Sequence, residues 1–363
     1  MKIIVLGTRG IPDILGGVET HCEELYPRIS KLGHDVTIIT RTPYVKDRTV
    51  IAYKGVRLKH IFAPKQKSIE AIIHTFLGVM YAGFKRPDVL HIHAVGPMIM
   101  TPLARLLGLK VVVTNHGPDY DRQKWGKLAK TILKLGESFG TRTAHKPIVI
   151  SNVIKSILEK KYNRHDAVLI YNGVTIPKLA EHDDYIHSLG LEKHQYIIAV
   201  GRFVEEKGFS DLIKAYSNIT TPYKLVLVGD ADHETIYSKQ LKKEAKEAGV
   251  ILTGFIKGEQ LHQIFSHAQL FVMPSYHEGL PIALLEAMSY NLNVLVSDIP
   301  ANLEVALDES HYFEVGNIEA ISGSILNALK HPSKAKIDNS KLILEKYNWD
   351  TIAEDTISVY KSL

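Results

Sequence analysis

Short apolar runs alternate along this chain with longer stretches whose apolar residues recur every three or four positions. In the first half the runs are Lys2–Leu6, Asp35–Thr40, Val89–His93, Lys110–Thr114, Pro147–Ile150 and Ala167–Ile170. In the second half they are Tyr196–Val200, Lys224–Val228, Val250–Leu252, Leu270–Met273 and Asn293–Val296. Most are short, rich in β-branched residues and bounded by Gly, Pro or Asn, which is the pattern of parallel strands covered on both faces. Gly17–Leu32 and Pro281–Tyr290 read as the helices that cross between such strands. The alternation predicts an α/β fold with two doubly wound, Rossmann-like domains. Their boundary is expected near Tyr171–Leu191, where Asn172-Gly173 signals a turn and Glu181–Asp184 is polar. The domains predicted are 1–180 and 181–345, followed by a C-terminal segment, 346–363, that contains the helix around Trp349–Lys361. Ligands of open parallel sheets bind beyond the carboxyl ends of the strands. Two such sheets facing one another would enclose a cleft, so the segments that follow strands are the ones to inspect.

Length and composition narrow this picture. The 363 residues suit two domains of about 150–200 residues. Cys22 is the only cysteine, which excludes an intrachain disulfide and suits a reducing compartment. The opening MKIIVLGTRGIP reads as a first strand and its turn, since a signal peptide needs a longer apolar stretch. No apolar run approaches the roughly 20 residues that cross a bilayer. A cytoplasmic protein is expected. The net charge of +5 conceals a split: residues 1–180 hold 28 Lys and Arg against 13 Asp and Glu, and residues 181–363 hold 16 against 26. The first domain should therefore face something anionic.

Candidate chemistry concentrates after two strands of the second half. Glu278-Gly279-Leu280-Pro281 leads into a helical stretch that carries Glu286. Pro281 suits a first helical turn, and free N–H groups around Gly279 and Leu280 would form an anion site. On a continuous helix, Glu286 would fall about two turns from Glu278 on nearly the same face. Two such carboxylates could accept hydroxyl groups on either side of a diphosphate. A capped helix with one solvated glutamate has the same spacing. Gly201-Arg202 and Lys207-Gly208 follow the strand Tyr196–Val200, so Arg202 and Lys207 could hold phosphate oxygens. A solvated loop neutralised by Glu205 and Glu206 is the rival there. Near the N-terminus, Gly16-Gly17 could let backbone N–H groups approach a phosphate. The glycine pattern of Gly7-Thr8-Arg9-Gly10 is not the dinucleotide fingerprint.

Together these pieces resemble the retaining glycosyltransferases of family 4, which have the GT-B fold. The resemblance rests on Glu278 through Glu286, Gly201-Arg202, Lys207-Gly208, Gly16-Gly17-Val18-Glu19 and Asn172-Gly173-Val174, all in the expected order. Gly7-Thr8-Arg9-Gly10-Ile11-Pro12 further resembles a bacterial subgroup that includes rhamnosyltransferases of surface-polysaccharide assembly. The resemblance implies that Arg202 and Lys207 hold the donor diphosphate, Glu278 the donor sugar and Glu286 the ribose. Gly279 and Leu280 would offer N–H groups to phosphate, and Gly16 and Gly17 would line the region where diphosphate and acceptor meet. His116, in Asn115-His116-Gly117, matches a family histidine near the transferred sugar. The catalytic set implied is His116, Arg202, Lys207 and Glu278. The donor is a nucleotide sugar, the acceptor an undecaprenyl-diphosphate-linked saccharide, and no cofactor or metal is required. The first domain would bind acceptor and the second donor, with the last helix returning to the first.

Three other features are weighed and set aside. Asp230-Ala231-Asp232 mimics a metal-binding D-x-D, but in a loop where this family carries Gly-Asp or Gly-Glu. His91 and His93 share a strand face, yet the sequence shows no third metal ligand nearby. Cys22 reads as a small packing residue. The segment from Arg122 to Leu135 is basic and amphipathic: Lys127, Lys130 and Lys134 recur at helical spacing, Leu128, Ile132 and Leu135 lie on another face, and Trp125 is near the start. It predicts peripheral contact with an anionic membrane at the inner face of the plasma membrane. No nucleic-acid recognition motif accompanies it. The alternatives to a transferase are a sugar-nucleotide epimerase or hydrolase on the same fold, and a non-catalytic membrane-associated protein that binds nucleotide sugars.

Overall fold

The computed structural model describes residues 1–14, 16–64, 70–118, 120, 126–231, 234–331 and 339–363. The chain forms two compact units, Met1–Gly173 with Tyr347–Leu363, and Val174–Lys346.

The first unit is built on an eight-stranded sheet. Its strands are β1 (Lys2–Leu6), β2 (Asp35–Arg41), β3 (Ala52–Tyr53), β4 (Val56–Ile61), β5 (Val89–His93), β6 (Val111–Asn115), β7 (Lys146–Val149) and β8 (Val168–Leu169). They are ordered β3-β4-β2-β1-β5-β6-β7-β8 and run parallel, except that β3 pairs antiparallel with β4. The helices between them are α1 (Gly17–Lys31), α2 (Glu70–Lys85), α3 (Thr101–Leu106), α4 (Lys127–Thr143) and α5 (Asn152–Tyr162). Alternate residues of β1 feed two cores, as a period of two requires. Ile3 and Val5 pack with Leu25, Tyr26 and Ile29 of α1, whereas Ile4 and Leu6 pack with Val79 and Ala82 of α2.

The second unit holds a six-stranded sheet, parallel throughout, ordered β11-β10-β9-β12-β13-β14. The strands are β9 (Tyr196–Val200), β10 (Lys224–Val228), β11 (Ile251–Leu252), β12 (Leu270–Met273), β13 (Asn293–Ser297) and β14 (Tyr312–Phe313). Its helices are α6 (Asp184–Ser188), α7 (Phe209–Ser217), α8 (Ile236–Glu247), α9 (Glu259–His267), α10 (Ile282–Ser289), α11 (Pro300–Leu303), α12 (Ile318–Lys330) and α13 (Asn339–Lys346). The last helix, α14 (Trp349–Lys361), belongs to the first unit, where Trp349, Ile352, Ala353 and Tyr360 join the core around α1.

In each sheet the strand order reverses once near the middle, between β1 and β5 and between β9 and β12. The loops beyond the carboxyl ends of these strands are the natural ligand positions of such sheets. They contain residues 7–14 and 16 after β1, 116–117 after β6, 201–208 after β9 and 274–281 after β12.

The structure departs from the sequence reading at β3, β4 and β14. In β4, Val56 and Leu58 are buried while Arg57 and Lys59 are exposed, so it carries the alternation of a strand covered on one face only. A search for continuous apolar runs passes over such a strand.

Candidate functional site

In the second unit, β9 ends in Gly201-Arg202, and Glu205–Lys207 form one tight turn before α7. Gly208 closes that turn at φ +66, and a Cβ there would lie 2.2 Å from the Pro274 carbonyl oxygen. Only glycine fits both the backbone and the space. The loop after β9 is thus held against the turn after β12, and the Tyr276 N–H donates to the Glu206 carbonyl at 2.9 Å across the same seam. This contact delivers Lys207 to Glu278. Lys207 Nζ donates to Glu278 Oε1 at 2.6 Å, and Ser275 Oγ donates to the same oxygen at 2.7 Å. The pair is mostly shielded, with side-chain exposures of 19% and 10%. Arg202 is partly buried at the end of β9, one residue before the buried Phe203.

The helix after β12 begins later than the sequence suggested. Pro281 is the residue before α10, at φ −79, and Glu278 lies in the turn ahead of it. Glu278 and Glu286 are therefore not two positions of one helical face; this corrects the two-turn phase argument. Chain reversal after Met273, not helical phase, sets where Glu278 stands. Gly279 and Leu280 make no hydrogen bond through their N–H groups among the described residues, and the Leu280 side chain is buried. Glu286 lies on the second turn of α10, where burial pushes its carboxyl up to about 7.

In the first unit, Gly16 caps α1 and the buried Glu19 ties the preceding loop down. Glu19 Oε1 accepts from the Arg9 N–H at 2.9 Å and from Arg9 Nε at 3.1 Å. A Cβ on Gly16 would lie 2.0 Å from Glu19 Oε2. The Gly16-Gly17 turn thus stands beside a carboxylate that Arg9 neutralises.

His116 follows β6 and joins an array of imidazoles. Its Nε2 pairs with His93 Nδ1 at 2.9 Å, while His93 Nε2 pairs with the Tyr26 hydroxyl. His91 stacks on His93 and pairs with Tyr360 at 2.6 Å and with Thr114 at 2.7 Å. His21 Nδ1 pairs with Asn172 Oδ1 at 2.7 Å. Burial holds His21 down at about 4 and keeps His91, His93 and His116 well below the ordinary imidazole range, so all four are neutral at pH 7.

This array corrects one statement of the sequence reading. A third nitrogen does accompany the strand histidines: ligand atoms of His21, His93 and His116 all lie within 4.8 Å of one another. His91 is not of that group; its two ring nitrogens serve Tyr26, Tyr360 and Thr114. The sequence could not show it, because His21 comes from α1 and His116 from the loop after β6. Of the D-x-D look-alike, Asp230 is paired with Lys242 at 2.7 Å, and Asp232 lies outside the described residues. Cys22 is fully buried in the α1 core, and burial pushes its thiol up.

The basic helix α4 leaves part of its apolar side uncovered. Leu128 and Leu135 are 75% and 43% exposed, and the side facing the unit is made by Leu133, Gly136, Glu137 and Gly140. Arg122, Gln123, Lys124 and Trp125 lie outside the described residues. Exposed apolar side chains also stand on the neighbouring helices: Phe76, Met80 and Phe84 on α2 and Leu106 on α3.

Comparison with known proteins fits both units. Residues 15–176 match the family described as Glycosyltransferase Family 4, and residues 181–349 match Glycosyl transferases group 1. The chain is a homologue of these family 4, group 1 glycosyltransferases and has the GT-B fold. An uncharacterised glycosyltransferase of Methanocaldococcus jannaschii is 26% identical, covering 99% of this chain and 98% of that protein. The UDP-Gal:α-D-GlcNAc-diphosphoundecaprenol α-1,3-galactosyltransferase of Escherichia coli is 29% identical over 69% of this chain and 68% of its own. Among solved structures, Anabaena HepE in complex with UDP-glucose superposes with a TM-score of 0.83 at 18% identity, covering 100% of both chains. No helix among the described residues of this GT-B homologue is long and apolar enough to cross a membrane. Glu137, Asn172, His21 and Tyr26 are the polar residues of the first unit whose place near His116 the sequence reading did not assign.

Proposed function

We propose that the protein transfers a sugar from a nucleotide-sugar donor to a lipid-linked saccharide in bacterial surface-polysaccharide assembly, with retention of anomeric configuration. The observation that carries this reading is the meeting of Lys207 and Glu278 from the ends of two adjacent strands. An ammonium group has three donors, so Lys207 can orient Glu278 and still reach a phosphate oxygen. Arg202, Lys207 and the N–H groups of Gly279 and Leu280 hold the donor diphosphate and take up the charge that grows as the sugar leaves. Glu278 accepts from sugar hydroxyls and Glu286 from the ribose. His116 faces the transferred sugar as a neutral imidazole, and Gly16 and Gly17 admit the diphosphate and the acceptor. The acceptor hydroxyl attacks on the face from which the diphosphate departs: its oxygen bonds to the anomeric carbon, the bond from that carbon to the diphosphate oxygen breaks, and the hydroxyl proton passes to that departing oxygen, so no carboxylate nucleophile is needed.

No metal takes part in this scheme, because fixed cations and N–H groups supply the positive field. Both ring nitrogens of His93 are engaged, one with Tyr26 and the other with His116. Transfer should therefore survive EDTA. Loss of transfer in EDTA with recovery on adding zinc would contradict the scheme.

The acceptor is read as an undecaprenyl-diphosphate saccharide and the place of action as the cytoplasmic face of the membrane, with a rhamnosyl or other hexosyl group transferred. Two features support this: the surplus of basic residues in the first domain, and exposed Leu128, Leu135 and Phe139 among Lys127, Lys130 and Lys134 on α4. The direct test incubates the protein with polyprenyl-diphosphate N-acetylglucosamine and a panel of UDP-, GDP- and dTDP-hexoses. Appearance of one longer lipid-linked saccharide is expected. Conversion or hydrolysis of the nucleotide sugar with no lipid product would favour an epimerase or hydrolase instead.

A further inference from the structure

We propose that Glu137 is a positioning residue that fixes the loop presenting His116. The proposal rests on the reading of His116 as the imidazole beside the transferred sugar. Glu137 is the single carboxylate of α4, a helix that otherwise carries Lys127, Lys130, Lys134 and Arg142, and it is 1% exposed. An ionised carboxylate is costly to bury unless every oxygen is paired. Here Oε2 accepts from Tyr162 at 2.6 Å, from Lys161 Nζ at 2.9 Å and from the Tyr120 hydroxyl at 3.0 Å. The other oxygen, Oε1, accepts from Asn115 Nδ2 at 3.3 Å.

That last contact reaches the site. A carboxylate only accepts, so it selects the NH2 side of the Asn115 amide. The amide oxygen is then turned to the Gly117 N–H, which donates to Asn115 Oδ1 at 2.9 Å. Residues 115 and 117 are thereby tied across His116, whose ring meets His93 on its other side. Close helix packing brings Glu137 to this point. A Cβ on Gly136 would lie 2.0 Å from the Val95 carbonyl oxygen, so α4 sits against the segment after β5 at a distance only glycine allows. A leucine at 137 would cover the same surface without burying a charge, but it could not orient Asn115.

The test is a double-mutant cycle on donor hydrolysis, which needs no acceptor. The probe is whichever of UDP-glucose, UDP-galactose, GDP-mannose or dTDP-rhamnose the protein hydrolyses fastest. The proteins are wild type, Glu137→Gln, His116→Ala and the double variant, each with its melting temperature. Glu137→Gln should lower kcat about tenfold or more with donor KM little changed, as a small displacement of an active-site group does. In the His116→Ala background the same change should cost no further activity. An equal loss in both backgrounds, or wild-type kcat in Glu137→Gln, would overturn the proposal while leaving His116 in its role. Wild-type kcat in His116→Ala would overturn both. Asn115→Ala, which leaves Glu137 its other three donors, keeps the test open if Glu137→Gln fails to fold, and should show the same kcat loss and the same non-additivity with His116→Ala.

Discussion

Lys207 and Glu278 share a short, shielded ion pair, and the two side chains come from segments 71 residues apart in sequence. Removing either should therefore cost stability as well as activity. Lys207→Ala leaves Glu278 with Ser275 as its remaining hydrogen-bond donor among the described contacts, a loss of about 1–3 kcal/mol for a charged hydrogen bond. Its turnover should fall about 100-fold or more, because a cation aimed at a leaving diphosphate is lost. Steady-state kinetics beside urea unfolding separates the two effects, and near-wild-type turnover in the folded variant would refute the assignment. Glu286 carries a different signature. Its folded value of about 7 stands above the ordinary 4.5, so the native protein holds that proton longer than the unfolded chain does. Stability from this group is present at low pH and is lost as pH rises through about 7. Nucleotide affinity should move the other way, strengthening over the same interval as the carboxylate forms and accepts the ribose hydroxyls. Glu286→Gln should flatten both profiles; calorimetric titration of UDP between about pH 5.5 and pH 8 checks it.

At the level of elements, the parallel strands were the most legible part of the chain. β1, β5, β9, β10 and β12 have the bounds that their apolar runs suggest, because a strand covered on both faces needs no polar alternation. β4, with Arg57 and Lys59 exposed, lacked that signal. The loops after β9 and β12 could be picked out by their place after strands, but the contact of Gly208 with Pro274 depends on sheet order and is invisible in local sequence. The imidazole array was hidden for the same reason, since its members lie on α1, β5 and the loop after β6. Glu137 did leave a trace: one acidic residue in a helix that otherwise carries only basic charges. Helix α4 also bears a prediction of its own. Reversing Lys127 and Lys134 to Glu should weaken sedimentation with anionic vesicles at low salt while leaving the melting temperature nearly unchanged, since both side chains are exposed. Unchanged vesicle binding would move the membrane contact elsewhere.

The two units of the whole molecule should answer pH differently. His21, His74, His91, His93 and His116 all lie in the first unit, and burial holds every one of them below the ordinary imidazole range. Each takes up a proton more readily in the unfolded chain, so their stabilising effect is full above about pH 6.5 and is lost as pH falls below it. Trp349 belongs to the first unit, so in a Trp125→Phe protein, where it is the one tryptophan left, tryptophan fluorescence reports that unit. Its urea midpoint should drop between about pH 7.5 and pH 5.5. A midpoint independent of pH would mean that these imidazoles are not buried as described. The claim on which the functional reading depends is that the second unit holds a nucleotide-sugar diphosphate between Arg202, Lys207 and the turn at Glu278. Isothermal titration of UDP-, GDP- and dTDP-hexoses into wild type and Lys207→Ala tests it most directly. One donor class should bind with a stoichiometry of one, and affinity should fall about tenfold or more in the variant. Binding of no nucleotide sugar, or equal affinity in the two proteins, would contradict it.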